Sequence, residues 1–293
     1  MGGVQMKHFL IYTNRHKDKE LVTTNRIRTY LETKGQKVTV KLKESDWKQR
    51  PIGDYEEADD IPLDIDCMIV LGGDGTGLEA ARETKRLLVP IIGVNLGTVG
   101  YMTEIEPANL EEALDRLVAG DYRKERRMML NGRVMHCDGK CEEGWALNDI
   151  VISRSGSLQI IKFNIYVNGQ FLHDYKADGM IVTTPTGSTG YNLSAGGPLI
   201  EPKAKLIMLT PICPHSLNQR SIVLSPEDEI EIEIPMGREG QSQTVEANFD
   251  GSHKVELCTG DRIRIVQSEK ITEFIQLNQV SFLDVLHKKM RET

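Results

Sequence analysis

Cys67-Met-Ile-Val-Leu-Gly-Gly-Asp-Gly-Thr76 decides how this chain is read. The apolar run from Cys67 to Leu71 predicts a fully buried strand. It stops in three glycines within four positions, Gly72, Gly73 and Gly75, and the one charge among them is Asp74. A strand that runs into a Gly-rich turn and then a helix is a phosphate-binding arrangement. Small residues let a polyphosphate approach backbone N–H groups, and the helix N-terminus favours negative charge. An acidic side chain is unexpected there, because it repels phosphate. Its presence points to a catalytic task, such as accepting a proton from a hydroxyl nucleophile. The plainer alternative is that Asp74 caps a helix starting near Gly77, as Asp commonly does. A lone Gly-rich loop is a weak signal, so the motif by itself leaves both readings open.

Working outward, residues 8–13 predict a first strand and Asn14-Arg15 a turn. From Lys17 to Lys34 the apolar positions Leu21, Val22, Ile27, Tyr30 and Leu31 roughly follow helical spacing, and Gly35 is a natural stop. Lys37–Leu42 alternates as a second strand. Residues 43–64 are acidic and contain proline, which predicts an exposed connection. After the Gly-rich turn, a helix from about Gly77 to Leu88 leads to a short buried strand at 90–94. That strand ends in a second Gly-rich loop, Asn95-Leu-Gly-Thr-Val-Gly-Tyr-Met-Thr-Glu104. Pro107 opens a helix whose stripe is Leu110, Ala113, Leu114 and Leu117, closed by Gly120. Strand–helix alternation predicts a Rossmann-like α/β domain with a parallel sheet. Both Gly-rich loops follow strands, where open α/β sheets bind ligands.

After about Asp121 the helical spacing gives way to period-two alternation. Lys162–Val167 followed by Asn168-Gly169 is a strong hairpin signal. Residues 229–234 alternate Glu and Ile, and 244–249 and 262–266 alternate likewise. This half predicts an antiparallel all-β domain. The tail from Val280 to Met290 reads as helix that packs back on the first domain. The expected division is therefore an α/β domain of residues 1–122 plus the tail 279–293, and an all-β domain of residues 123–278.

Composition narrows the function. The formal net charge is −7 over 293 residues. That argues against a nucleic-acid or acidic-membrane partner, which asks for a clustered basic surface. No apolar run reaches the ~18 residues of a membrane span. The N-terminus runs directly into a strand-like segment, with no signal peptide visible. Five scattered cysteines, an odd number, fit free thiols in a reducing, cytoplasmic compartment. His136, Cys137 and Cys141 cluster loosely, but Asp138-Gly139 between them reads as a hairpin turn and a second ligand pair is lacking. No metal-ligand side chain is assigned.

One region of the β-rich half breaks the alternation, Asp178-Gly-Met-Ile-Val-Thr-Thr-Pro-Thr-Gly-Ser-Thr-Gly-Tyr-Asn-Leu-Ser-Ala-Gly-Gly-Pro198. An apolar strand, Met180–Val182, leads into seven hydroxyl residues and four glycines between Thr183 and Gly197. A packed core has little use for so many donors, whereas a ligand rich in hydroxyl, amide and phosphate groups would use them. The plainer reading is a Ser/Gly-rich surface loop. Asn148-Asp149 precedes another apolar strand, Ile150–Ile152. Such a pair can grip a ribose diol, the carboxylate accepting both hydroxyls, or it can simply be a turn before a strand.

Together these pieces resemble the NAD kinase family. Its pattern is a Gly-Gly-Asp-Gly-Thr loop, a Gly-x-x-Gly-aromatic loop, an Asn-Asp or Asn-Glu pair and the long Thr-Pro-Thr-Gly-Ser-Thr block. Here they stand in the same order at 72–76, 97–101, 148–149 and 178–198. The closing Phe282-Leu-Asp-Val-Leu286 is similar to bacterial members, so the likeness spans nearly the whole chain. The resemblance implies an N-terminal α/β domain, a C-terminal β-sandwich and a homodimer or homotetramer. It implies phosphorylation of the 2′-hydroxyl of the adenosine ribose of NAD, giving NADP. ATP or inorganic polyphosphate would be the donor, with Mg²⁺ or another divalent metal.

By matching positions, Asp74 would be the general base, with Gly75 close to the ligand and Tyr101 beside the adenine. Asn148 and Asp149 would bind the ribose or nearby groups. Lys176, Asp178, Thr189, Gly190, Tyr191 and Ser194 would line the NAD pocket, and Gly72, Gly73 and Thr76 would hold the donor phosphates. The chain departs from the pattern at Gly190, where Ala is usual, and at Thr98, where His or Asn is common. Asp149 is the shorter alternative to Glu. Asp250-Gly251-Ser252 lacks a Gln that often follows that turn, so Ser252 is not assigned. A lipid kinase of related fold or a sugar kinase resembling phosphofructokinase would lack the hydroxyl-rich block. A non-catalytic NAD(P) sensor would be expected to lose the acid at position 74, which is intact.

Overall fold

The computed structural model describes residues 4–43, 61–83, 89–97, 100–156, 160–216, 220–278 and 281–292. The chain divides into two compact units, Met1–Arg126 with Thr272–Thr293, and Arg127–Ile271. The sequence places these divisions a few residues away, at 122/123 and 278/279. Long strands that run through the division points carry no composition signal there.

The first unit is built on a parallel sheet. Its strands are β1 (His8–Thr13), β2 (Lys37–Leu42), β3 (Cys67–Gly72), β4 (Ile91–Asn95) and β5 (Thr103–Ile105). They lie in the order β2-β1-β3-β4, all parallel, with the short β5 beside β4. Every residue of β1 and β3 is buried, as expected of a parallel sheet covered on both faces. Phe9, Ile11, Ile69, Leu71, Ile92 and Val94 share one core. It is completed by Ile27 and Leu31 of α1 (Val22–Thr33) and by Leu110, Leu114 and Leu117 of α3 (Leu110–Ala119). Burying each such side chain is worth roughly 1.5–3 kcal/mol. Gly120 ends α3 at φ +76°, the left-handed conformation that glycine adopts without strain.

Two helix starts differ from the spacing-based expectation. The first helix was expected from Lys17, yet α1 begins at Val22. Buried Asp18 sets that start, its carboxylate accepting from the backbone N–H groups of Thr23 at 2.9 Å and Thr24 at 2.8 Å. The second helix, α2 (Asp74–Glu83), begins at Asp74 rather than near Gly77. The segment 84–88 of that expected helix lies outside the described residues, as does most of the expected 43–64 connection. The tail forms the expected helix, Phe282–Glu292.

The second unit is an antiparallel sandwich. Its strands are β6 (Arg123–Met135), β7 (Cys141–Ala146), β8 (Asp149–Arg154), β9 (Ile161–Val167), β10 (Gln170–Ala177), β11 (Gly179–Thr183), β12 (Ile207–Ile212), β13 (Ile222–Leu224), β14 (Ile230–Glu233), β15 (Thr244–Phe249), β16 (His253–Cys258) and β17 (Arg262–Gln276). One layer pairs β10-β9-β14-β17, and the other runs β13-β12-β11-β8-β15-β16. Phe163, Ile165, Ile230, Ile232 and Ile263 from the first layer meet Ile150, Ile152, Met180, Val182, Leu209 and Phe249 from the second in one core. This interdigitation of two inner faces is the sandwich arrangement. The hairpin at Asn168-Gly169 has φ +51° and +75°, the mirror-image turn that its sequence announces.

His136, where the sequence shows a loose His/Cys cluster, is engaged internally. Nδ1 meets Asp261 at 2.9 Å and Nε2 meets Glu142 at 3.2 Å. Among the described residues no group of three or more His, Cys, Asp or Glu is arranged to hold a metal, and no helix is long and apolar enough to cross a membrane.

Phe163 is fully buried and stacks on Tyr175 with ring centroids 5.6 Å apart. Phe163→Ala is expected to cost roughly 3–5 kcal/mol. The exposed Val223→Ala is expected to stay within about 0.5 kcal/mol of wild type. Denaturant midpoints of the two variants check this contrast.

Candidate active site

In the first unit, Asp74 stands at the first position of α2, directly after the Gly-rich end of β3. Its carboxylate does not cap its own helix. It accepts two backbone N–H groups from the second Gly-rich loop, Tyr101 to Oδ2 and Met102 to Oδ1, both at 2.9 Å. The two loops that the sequence singles out are thus joined at one carboxylate. Glycines make the joint possible. A Cβ on Gly100 would fall on the Asp74 carboxylate, and one on Gly93 would lie 2.5 Å from the Met102 carbonyl oxygen. The Met102 sulfur rests over Gly77 of α2.

The remaining loop residues divide by the side they face. A Cβ on Gly73 or on Gly75 would meet nothing within 4 Å among the described residues, so both present backbone open on that side. Gly72 faces inward, where a Cβ would strike the Thr76 hydroxyl. Thr76 is itself buried, and its hydroxyl receives a 3.4 Å bond from the Asn14 amide. The Tyr101 ring lies 6.0 Å from that of Phe282, with the Lys289 ammonium 4.8 Å from its centre. Burial, and then the neighbouring Asp74 charge, hold the Tyr101 phenol above its ordinary pKa. Thr98 lies outside the described residues.

In the second unit, Asn148 and Asp149 lead into β8. The Asn148 Oδ1 is buried and has no hydrogen-bond donor among the described residues. The Asp149 carboxylate is also buried, and its proton affinity is pushed up to about 7, first by burial and then by the charge of Asp250. A buried acceptor oxygen without a donor among the described residues thus sits next to a buried carboxylate. A ligand offering hydroxyl or amine donors is the chemistry they fit.

The hydroxyl-rich block behaves differently from the expectation that its donors await a ligand. Thr183, Thr184, Thr186 and Ser188 are buried. Thr183 and Thr184 donate to the Asn148 and Leu147 carbonyls, at 2.9 and 2.6 Å. Ser188 donates to Pro185 O at 2.7 Å. The two threonines brace the block against the 147–148 segment, and Ser188 braces the block itself. Gly187 completes the joint, since a Cβ there would strike the Asn148 carbonyl. The other three are less enclosed: Thr189 is half-buried, and Tyr191 and Ser194 are exposed. Gly190, half-buried, lies near the Asn148 amide. Lys176 is exposed on β10, and Asp178 is 3.7 Å from Arg154. The Ser252 hydroxyl bonds to the Phe249 carbonyl at 3.3 Å.

Two contributors escape a sequence reading. Asn14 donates its backbone N–H to Leu71 O at 3.2 Å as well as its amide to Thr76, so the turn after β1 supports the loop after β3. Asp250 gathers three N–H groups of the 147–149 segment. The Asp-Gly turn is visible in the sequence, but its partner about a hundred residues away is not.

Comparison with known proteins bears on this arrangement. Residues 9–122 match the family model described as the ATP-NAD kinase N-terminal domain, and residues 147–277 match the C-terminal domain of the same family. The chain belongs to the NAD kinase family. It is an enzyme of that class. A family member from Lachnospira eligens is 46% identical over 294 residues, covering 97% of this chain and 100% of that protein. Among solved structures, the yeast NADH kinase complexed with NADH shares the fold at a TM-score of 0.82 and 23% identity, covering 98% of this chain and 88% of that one. An Archaeoglobus fulgidus NAD kinase in complex with ATP gives a TM-score of 0.73 at 28% identity, covering 98% and 100%.

Two outcomes follow from the geometry. Gly100→Ala is expected to push the second loop off Asp74 and cut kcat/KM by roughly 10²-fold, the scale of an ångström-sized misplacement. Steady-state kinetics beside a thermal melt check it. For Asp149 the folded-state proton affinity is raised, so its stability contribution is present at acid pH and lost as pH rises through about 7. Asp149→Asn removes that loss. The variant is expected to gain more Tm over wild type at pH 8 than at pH 5, measured by scanning calorimetry.

Proposed function

We propose that this enzyme transfers the terminal phosphoryl group of ATP to the 2′-hydroxyl of the adenosine ribose of NAD, giving NADP. Asp74 acts as general base. The observation that carries the reading is the Asp74 carboxylate itself, an acid fixed by two N–H groups between glycines whose outer faces are open. Two N–H bonds leave a carboxylate with lone pairs to spare. An acid there opposes phosphate binding, so its retention is explained by a proton to be accepted. The reaction needs one, because the attacking hydroxyl must lose it.

Phosphoryl transfer is mostly positioning and charge stabilisation, with nucleophile and leaving oxygen in line. In the proposal, open backbone at Gly73 and Gly75 and the start of α2 receive the donor phosphates, in keeping with the preference of helix N-termini for anions. Gly72 and Thr76 stand behind them as braces. Tyr101 offers a ring face to the adenine. Asn148 and Asp149 accept from ribose hydroxyls, and Lys176, Asp178, Thr189, Gly190, Tyr191 and Ser194 complete the NAD-binding group. The ATP complex of the 28% identical archaeal relative supports ATP as donor. Inorganic polyphosphate presents the same terminal chemistry and is the second donor to test.

A divalent ion belongs to this proposal as one carried on the donor phosphates. Mg²⁺ is held that way, keeping several waters and taking one or two carboxylates at most. That demand fits a site with one loop carboxylate and no converging set of ligands among the described residues. The ion would neutralise charge on the phosphate oxygens. The five cysteines are unpaired, which supports a cytoplasmic setting, and the family likeness supports a homodimer or homotetramer.

Asp74→Asn tests the role of the base. General-base assistance contributes roughly 10²–10⁴-fold. The amide can accept only one of the two N–H bonds, so the variant is expected to melt somewhat lower yet stay folded and bind NAD, while losing at least about two orders of magnitude in kcat well below its melt, with either ATP or polyphosphate. Near-normal turnover would remove Asp74 from the mechanism.

A further inference from the structure

Asp250 lies outside the groups proposed above, yet it holds more of the Asn148-Asp149 segment than any other described side chain. Its Oδ2 accepts the Leu147 N–H at 2.8 Å, and its Oδ1 accepts the Asn148 N–H at 2.8 Å and the Asp149 N–H at 3.2 Å. The segment answers, since the Asp149 carbonyl accepts the Asp250 N–H at 3.0 Å. Asp250 stands at φ +50°, a conformation that Asp and Asn tolerate better than other side chains, and it precedes Gly251 at φ +68°. The turn after β15 is thereby shaped to aim one carboxylate at three consecutive amides. Charge-assisted bonds of this kind are roughly twice as strong as neutral ones.

We infer that Asp250 is the positioning residue for acceptor binding, fixing the backbone of 147–149 so that the Asn148 amide oxygen and the Asp149 carboxylate both remain free for the ligand's hydroxyls. The inference rests on the reading of that pair as ribose-binding. Three observations converge on it. The Asn148 Oδ1 is left without a donor in a buried place, although its own backbone N–H and carbonyl are both engaged. The Asp149 carboxylate is buried beside a second carboxylate, an arrangement that costs stability. The hydroxyls of Thr183 and Thr184 close the same segment from the other side. A segment held this firmly, with a buried Asn148 oxygen lacking a donor among the described residues and a buried carboxylate beside it, is built to present them.

The charge has a second consequence. Of the elements packed against Asp149, β11 carries no ionisable side chain. On β15, Glu246 lies opposite Ser153 and is bonded to Lys254 and Ser155. Arg127 reaches Thr186, at 3.4 Å. Asp250 is the charged group that acts directly on Asp149, and with burial it raises that carboxyl's proton affinity to about 7. A protonated Asp149 accepts less well from a diol. NAD affinity should therefore weaken as pH falls through about 7, and Asp250 should set where that weakening begins.

Calorimetric titration of NAD into the donor-free enzyme between about pH 5.5 and 8.5 tests this, because it needs no turnover. Wild type should lose affinity on the acid side of about pH 7. Asp250→Asn keeps an acceptor oxygen but drops the charge. It should bind roughly 10-fold more weakly at pH 8, with its acid limb moved to lower pH. Asp250→Glu keeps the charge, so it should weaken binding while leaving the limb in place. Affinity for ATP should change less than about threefold in both variants. A purely structural role would lower Tm and weaken both nucleotides alike, with superimposable pH profiles, and that result would overturn the inference. So would a wild type that binds no NAD. A wild type that binds NAD but forms no NADP would sink the proposed reaction, and the role of Asp250 would still be judged by the titration.

Discussion

Two backbone N–H groups, those of Tyr101 and Met102, converge on the carboxylate of Asp74, and the first unit is arranged so that they can. A Gly-rich turn at the end of a strand gathers anions, so an acid within it is a conflict. The fold resolves the conflict by giving the acid its own donors from a different loop. Those donors reach it because Gly93 lets the chain at 102–103 pass close to β4, and because Gly100 leaves room beside the carboxylate. Gly77 then seats the Met102 side chain on α2. Gly93 and Gly100 each remove a specific clash, and together they hold one charge at one place on the C-terminal edge of the parallel sheet.

The same device recurs. Asp18 collects the N–H groups of Thr23 and Thr24, Asp66 those of Lys7 and His8, Glu104 those of Leu277 and Asn278, and Asp261 those of Cys137 and Cys258. In most cases the segments joined are far apart in sequence. Hydrogen bonds to a charged acceptor are worth about 1.5–3 kcal/mol, more than most exposed ion pairs. A chain with net charge −7 is therefore using part of its acidic surplus as internal fasteners. Asp74 lies between the two Gly-rich loops and Asp250 holds the segment carrying the donorless Asn148 oxygen, and there a structural device becomes available to chemistry.

The sequence carried the architecture well because its signals are local. The buried runs of β1, β3 and β4, the Asn168-Gly169 turn and the Gly120 stop each act through neighbours in the chain. The start of α1 was misjudged because Asp18 caps it across a tight turn, a contact that spacing does not register. The two Gly-rich loops and the Asn148-Asp149 pair were legible as a candidate site. The reason for each was not. Asp74 read equally as helix cap or catalyst, and only the contact with residues twenty-seven and twenty-eight positions away removes the cap reading. In the 183–197 block the count of hydroxyls was informative about the wrong thing. Four of them turn inward to brace Asn148 and their own loop, or lie buried beside Arg127. Composition reports how many donors a segment holds, and burial decides which ones a ligand can meet.

The central claim is chemical, that this chain places a phosphoryl group on one hydroxyl of NAD. Phosphorus and proton NMR of the product formed from NAD, ATP and Mg²⁺ tests it most directly. One new phosphomonoester on the 2′ carbon of the adenosine ribose is expected, formed in step with ADP. A phosphate on another position, or ATP consumed with NAD unchanged, would contradict it.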